Sequence, residues 1–398
     1  MIRGVLEIPS LYGWLIPRIK TPAEIDALAS QGGFPTLMQL APAALYCIAF
    51  GLARLVLTRL VFKPLAIYSM NLRISANSQP IPAVDVYVSE NQYEKTAKKT
   101  KKRVAKDVDT LVQELLKLGV ANKAELGEKA SPAALRLYLI GRRRSQVVER
   151  KVVKFVEALW RGIFYFVFVV IGATFLFYPE PQEWVLDTRK HWLAWPQPVS
   201  TTVLVYYQLA LGCYLHQLMW TEVSRSDALE MIVHHITTIL LLGMSFLTQF
   251  TRVGASILLV HDVADVFLES AKCFNYAAQN NAGCKRWASP LCDVLFGCFA
   301  LSFFVTRLVI YPRYLVWSLV VEAPALLGGS WPGYWGFSGL LLTLLALHVF
   351  WFMLICKMIY RMFTTGIEKD ERSDDEEETE EEDESEGRTK AKAKGKQS

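Results

Sequence analysis

Two neighbouring stretches place ionisable side chains where apolar ones would be expected. The first carries Asp227, Glu230, His234 and His235, and the second carries His261, Asp262, Asp265 and Glu269. A charge at the centre of a membrane helix costs at least ~2.5–3.5 kcal/mol, so such residues are functional candidates by default. Helical spacing sorts them. Asp227, Glu230 and His234 recur at i, i+3, i+7 and share a stripe. Asp262, Asp265 and Glu269 form a second stripe, and His261 with Asp265 is an i, i+4 pair. Only FTRV separates the two apolar runs, so the helices should be antiparallel neighbours with their polar sets at similar depth. A carboxylate beside an imidazole in a partly dry pocket is the equipment of a general base or a nucleophile. It fixes the ring tautomer and stabilises the imidazolium that forms. One buried histidine would be explained by interhelical hydrogen bonding; the whole set on adjacent helices is better explained by chemistry. A metal site is disfavoured. Adjacent histidines point about 100° apart on a helix, and the chain has only six histidines.

The elements that must position these residues are membrane helices. Of the 398 residues, 52% are hydrophobic and only 20% charged, with mean hydropathy +0.24. That excludes an ordinary cytosolic enzyme, a secreted disulfide scaffold and a disordered protein. Apolar runs occur at about 36–61, 159–178, 199–220, 229–249, 253–271, 290–312 and 335–359. Several approach the ~20 residues needed to cross ~30 Å of hydrocarbon. They are continuous rather than alternating, which argues for helices and against a β-barrel. The expected fold is an all-α polytopic membrane protein with about seven transmembrane helices in one bundle. A weaker run at 314–328, with Glu322 and Pro324, reads as a loop or re-entrant piece. The seven cysteines show no CxxC spacing and read as small hydrophobes. Pro9, Trp14, Pro17, Pro22 and Glu24 interrupt any signal-peptide core.

Charge is strongly asymmetric. Residues 95–154 carry net +11 and residues 368–386 net −12. Basic connections lie on the cytosolic side, so the 62–158 connection, the loops at 221–228 and 272–289 and the C-terminus should be cytosolic. The loops at 179–198 and 313–334 should be lumenal. Arg189, Lys190 and His191 in the first of these run against the bias. Within the basic segment, VDTLVQELLKLG and SPAALRLYLIG, the latter with Ser131 as N-cap and Pro132 in the first turn, read as short helices. Their basic face, including Arg142, Arg143 and Arg144, suits anionic headgroups or an anionic nucleotide. The acidic tail cannot fold. Its Ser373, Thr379 and Ser385 suit acidophilic kinases, and Lys394 and Lys396 fit a dilysine retrieval signal.

The stretch RSDALEMIVHHITTILLLGMSFLTQFTRVGASILLVHDVADVFLESAKCFNY resembles the Lag1 motif of ceramide synthases, in the TLC superfamily. The pattern is D…E-M…H-H…T, then R-x-G, then H-D…D…L-E-x-x-K. KFVEALWRGIFYF, TRLVIYPRYL and LHVFWFMLICKMIYRMF with its acidic tail are similar to other parts of that family, and the match is closer to the animal type. LYLIGRRRSQVVERKVVKFVEALW resembles the end of the homeobox-like segment of animal members. However, Leu139-Ile140 replace a typical Trp-Phe pair and no base-reading Asn is evident, so no nucleic-acid partner is expected. No Asn-x-Ser/Thr sequon occurs in the chain.

The resemblance implies acyl transfer from fatty acyl-coenzyme A to the amino group of a sphingoid base, giving (dihydro)ceramide in the endoplasmic reticulum membrane. It implies no cofactor beyond the acyl-coenzyme A substrate. His234, His235, Asp262 and Asp265 match the family's catalytic set, with a His as base or acyl-accepting nucleophile; their individual roles stay open. Asp227, Glu230, His261, Glu269, Arg252 and Lys272 are secondary substrate-binding candidates, and Arg252, Lys272 and Arg142–Arg144 are weaker candidates for phosphate or structural contacts. His261 is expected to matter less than Asp262, and the lone His216 and His348 to tolerate Gln. The resemblance also implies that the 313–334 loop bears on acyl length, and it allows a homo- or heterodimer. Expected boundaries are 1–62 for the N-terminus and first span, 63–154 for the basic segment, 155–363 for the TLC bundle and 364–398 for the tail. A non-catalytic TLC protein acting in lipid sensing or translocation is the alternative. A transporter would show repeats, and none is seen.

Overall fold

The computed structural model describes residues 35–72, 111–113, 115–116, 132–178, 180, 182–193, 195–197, 199–220 and 227–365. The N-terminal readings, most of the basic segment, the side chains of Arg143 and Arg144, the 221–226 loop and the acidic tail with its serines and lysines lie outside the described residues. Seven long helices follow one another: α1 (Leu37–Ser69), α2 (Pro132–Phe177), α3 (Thr201–Met219), α4 (Ala228–Leu247), α5 (Thr251–Asn280), α6 (Ala282–Leu326) and α7 (Pro332–Thr365). Among the described residues there is no strand.

Five of these helices, α1, α2, α4, α6 and α7, are long and apolar enough to cross a membrane. The remaining two are the polar ones. Gln208, His216 and Gln217 dilute α3, and Arg252, His261, Asp262, Asp265, Glu269 and Lys272 dilute α5. The protein is a multi-pass membrane protein. Contacts separate a main unit, within Met1–Met70 and Phe155–Lys369, from a second one that includes Asn71–Lys154. In the second unit Leu111, Val112, Leu115, Leu135 and Leu139 are buried, matching the apolar spacing of its two segments.

Three sequence expectations are corrected. SPAALRLYLIG does not end as a short helix but opens the 46-residue α2. The expected 272–289 loop is helical apart from Asn281, whose side-chain carbonyl caps α6 by accepting from Gly283 N at 3.0 Å. The expected loop at 314–328 is helical to Leu326. A periodicity of four explains the last. Phe303, Arg307, Tyr311, Leu315, Leu319, Ala323 and Leu327 are all buried. In an ideal α-helix each four-residue step rotates the face by about 40°. Here Phe304–Val316 and Ser318–Glu322 are π-helical, with wider turns that cancel this drift. Pro312 and Pro324, each lacking an N–H, both sit within this continuous helical run.

The connections gather at two ends. Trp195 Nε1 donates to the Thr248 carbonyl at 2.8 Å, Arg252 Nη1 to the Lys190 carbonyl at 2.7 Å, and Trp192 Nε1 to Ser318 Oγ at 2.7 Å. The α4–α5 turn is only Thr248–Phe250, with Gln249 at φ 59, and Phe250 rests its ring against Trp331. At the other end, Asn281 Nδ2 donates to the Ser69 carbonyl at 3.0 Å, joining α1 to the α5–α6 turn. One apolar core, around Trp192, Phe250, Tyr311 and Trp331, lies between α5, α6, α7 and the connections; another, around Tyr206, Tyr207 and Phe246, lies between α2, α3, α4 and α5.

Candidate active site

The site forms where α3, α4, α5, α6 and α7 face one another. His234 and His235 point to different sides of α4, yet both are buried because that helix is enclosed on both. The His234 ring lies 5.5 Å from the Trp351 ring on α7 and 6.2 Å from His261 on α5. The His235 ring lies 6.0 Å from Tyr214 on α3. Tyr214 also reaches His234 at 6.5 Å, and its side chain is a neighbour of the Asp262 carboxylate. One tyrosine thus joins the paired histidines to Asp262.

His261 has a defined tautomer. Its Nδ1 lies 2.8 Å from the Ile257 carbonyl. A carbonyl only accepts, so in the neutral ring Nδ1 carries the proton and Nε2 presents a lone pair. That Nε2 is buried without a hydrogen-bond partner, as are His234 Nδ1 and His235 Nδ1. Buried polar atoms are normally satisfied. The rings of His235, His234, His261 and His348 follow one another at 5.5, 6.2 and 4.7 Å, so four imidazoles form one cluster.

The acidic stripe on α5 divides among three neighbours. Asp262 faces Tyr214. Asp265 forms an ion pair with Arg307 of α6, whose same nitrogen donates to the His261 carbonyl. Glu269 pairs with Arg161 of α2 at 3.3 Å and with Lys272 at 3.1 Å. Glu269 and Lys272 therefore belong to an ion network about two to three turns along α5 from His261. Asp227 is buried at the start of α4, and Glu230 is half-buried a turn further on. Arg252 sits about 15 Å along α5 from Asp262, ten residues away, and serves the Lys190 carbonyl. Arg142 is half-buried on the segment of α2 belonging to the second unit.

Two residues were missed by sequence reasoning. Arg307 was hidden inside a long apolar run, although a lone Arg there warrants the same scrutiny as the acids of α5. His348 was read as a lone, replaceable histidine. It is fully buried, with its ring 4.7 Å from His261 and 4.9 Å from Tyr311. By contrast His216 stands between Trp160 and Trp220, each at 6.0 Å.

An apolar cavity runs from this cluster toward the Trp192 end of the bundle. Tyr214, Thr238 and His261 line it at the polar end, and Trp192 and Phe250 at the other. Between them lie Val253, Ile257, Leu258 and Leu344. His261 and Tyr214 thus stand at the polar head of an apolar space.

The TLC domain matches residues 154–357, a stretch that holds every residue of this site and cavity. The chain belongs to the TLC-domain family. This TLC-domain chain is 37% identical over 238 residues to ceramide synthase 5 of Homo sapiens, covering 59% of this chain and 57% of that one. It is 30% identical to ceramide synthase 5 of Mus musculus over 92% of this chain and 83% of that one. Against ceramide synthase LOH2 of Arabidopsis thaliana the identity is 35%, over 57% and 76%. The chain thus spans about three fifths of the human relative's length and most of the mouse and plant ones. Within the TLC domain, Tyr214 and His261 line the pocket, and the paired histidines of α4 stand behind them, His235 6.0 Å from Tyr214 and His234 6.2 Å from His261.

Proposed function

We propose that this TLC-domain protein transfers the acyl group of a fatty acyl-coenzyme A to the amino group of a sphingoid base, giving (dihydro)ceramide. The carrying observation is the packed cluster of His234, His235, His261 and His348, of which His261 lines the head of the apolar cavity. The names of its relatives support the same reading. The thioester C–S bond breaks and an amide C–N bond forms. The incoming ammonium keeps one of its three N–H protons, gives one to the departing thiolate and releases one to solvent. A histidine of the cluster takes the first proton, or accepts the acyl group as a transient acyl-imidazole. The proposed catalytic set is His234, His235, Asp262 and Asp265. His261 joins it, with its Nδ1 proton held by Ile257 and its Nε2 open. Asp262, with Tyr214, would hold the ammonium before it loses its proton. No metal or cofactor is assigned a part.

We place the protein in the endoplasmic reticulum membrane with the basic connection and the acidic tail in the cytosol. The net charge of +11 over residues 95–154 supports this. His191, which counted against it, is buried between Trp184 and Trp192. Burial, aided by the Arg252 charge, holds its imidazole down to about 4, so it is neutral at physiological pH. The test is expression in cells lacking ceramide synthases, followed by lipid analysis. Ceramide should reappear with the wild type and not with His234→Ala or His235→Ala. Ceramide formation that survives both substitutions would overturn the assignment.

A further inference from the structure

The cavity has a definite end, and that end is built by a part of the chain outside the seven helices. Trp192 belongs to the connection between α2 and α3, which forms the short helix Glu183–Leu186 and the 3₁₀ turn Thr188–His191. Its side chain is 1% exposed. The indole donates to Ser318 Oγ at 2.7 Å, and Ser318 in turn donates to the Thr188 carbonyl at 3.3 Å. Its ring meets Phe250 edge-on at 5.1 Å. A tryptophan held by a hydrogen bond on one side and an aromatic face on the other cannot rotate away without losing both. Beyond it the aromatic packing of Trp195, Trp331 and Phe337 continues around Phe250 with no gap in the ring contacts.

Resting on the proposed acyl transfer, we infer that Trp192 is the end stop of the acyl site and sets the longest acyl group the protein accepts. The distance follows from α5, which lines the cavity from Phe250 at its start to His261. Eleven residues of helix cover about 16 Å. An extended alkyl chain advances about 1.25 Å per carbon, from tetrahedral geometry and ~1.5 Å bonds. About 13 carbons therefore fit between the reacting carbonyl at His261 and the indole. The favoured donor is an acyl group of about 14 carbons, and longer ones meet the ring. The last-loop region 313–334 contributes too, through Leu319 on the wall and Ser318 as the anchor of the indole. The stop itself comes from the other connection.

The test uses the purified full chain in lipid nanodiscs with sphinganine and a ladder of saturated acyl-coenzyme A donors two carbons apart. Trp192→Ala should move the preferred donor at least two carbons longer. The rate for the first rejected length, relative to the wild-type optimum, should rise about tenfold or more, the discrimination that a methylene or two in an apolar pocket provides. Val253 lies on the same wall about 12 Å from His261, eight residues away. Val253→Phe should therefore move the optimum at least two carbons shorter. If Trp192→Ala does not fold, Val253→Phe together with Ser318→Ala, which frees the indole, decides. An unchanged length profile in all variants of an active protein overturns the end stop and leaves the acyl-transfer reading intact. Absence of transfer by the wild type with every donor overturns that reading and the inference with it.

Discussion

At the residue scale, the packing changes what His261 and His348 should do. The sequence placed His261 on a different side of α5 from Asp262, and the structure keeps it there. That other side, however, faces His348, Tyr311 and the Arg307 chain rather than lipid. Substituting His234, His235 or Asp262 by Ala should each reduce acyl transfer by about 10²–10⁴, the usual contribution of a general base. His261→Gln should now fall in the same range, measured as kcat with protein yield and insertion unchanged. His348→Gln should be costly as well, whereas His216→Gln, among tryptophans, should be tolerated. Near-normal activity for the His261 variant would return that residue to a packing role. Arg307 carries a second prediction. Removing it leaves Asp265 without its cation, and breaking one side of a buried pair costs about 3–5 kcal/mol. The Asp265 side chain is 22% exposed, so the lower end is expected. Arg307→Met should lower thermal stability more than the double variant Arg307→Met with Asp265→Leu. A loss in the double variant equal to the sum of the losses in Arg307→Met and Asp265→Leu alone would show that the pair carries no coupling.

Elements were legible where one rule governs them. Apolar runs of about twenty residues located all seven helices, because length and hydropathy are local properties. The paired histidines and the acids of α5 were legible for the same reason. The course of α6 was not, since its period of four belongs neither to an ideal α-helix nor to a strand. Glu322 and Pro324 then looked like breakers. Nor could the sequence say that the carboxylates of α5 would face three different helices. Gly254, in the R-x-G element, gains a physical reason from the packing. Tyr207 is fully buried over it, hydrogen-bonded to the Thr251 carbonyl at 3.1 Å and to Ser245 at 3.3 Å. A Cβ on residue 254 would stand 1.9 Å from the Tyr207 oxygen. Gly254→Ala should destabilise the bundle by about 1–3 kcal/mol, the usual cost of overpacking. Adding Tyr207→Phe, which removes the clashing oxygen, should recover part of the loss in a detergent thermal-shift assay. A stable Gly254→Ala protein would mean that the tyrosine moves more freely than its two hydrogen bonds suggest.

At the scale of the whole molecule, the number of crossings decides which connections share a side of the membrane. Counting only the five strongly apolar helices would put the 178–200 connection and the α4–α5 turn on opposite sides. Trp195 bonds to the Thr248 carbonyl and Arg252 to the Lys190 carbonyl, so these two connections are together. Phe250 against Trp331 adds the α6–α7 turn to the same end. All seven helices must then cross, including α3 and α5, whose polar residues are tolerated because they face the bundle interior. We propose on this ground that seven crossings put the basic connection and the acidic tail on one side and those three connections on the other. The chain has no native Asn-x-Ser/Thr sequon, so an introduced one reports against no background. A sequon in a short insert at residues 185–188, or at 328–330, should be glycosylated in microsomes. One placed in a flexible insert at Asn281 should not be, and protease added outside sealed microsomes should remove the tail after Thr365. Modification at 281, or protection of the tail, would overturn the seven-crossing arrangement. It would also put the imidazole cluster nearer the lumenal face, away from the side where a polyanionic acyl-coenzyme A head can reach it.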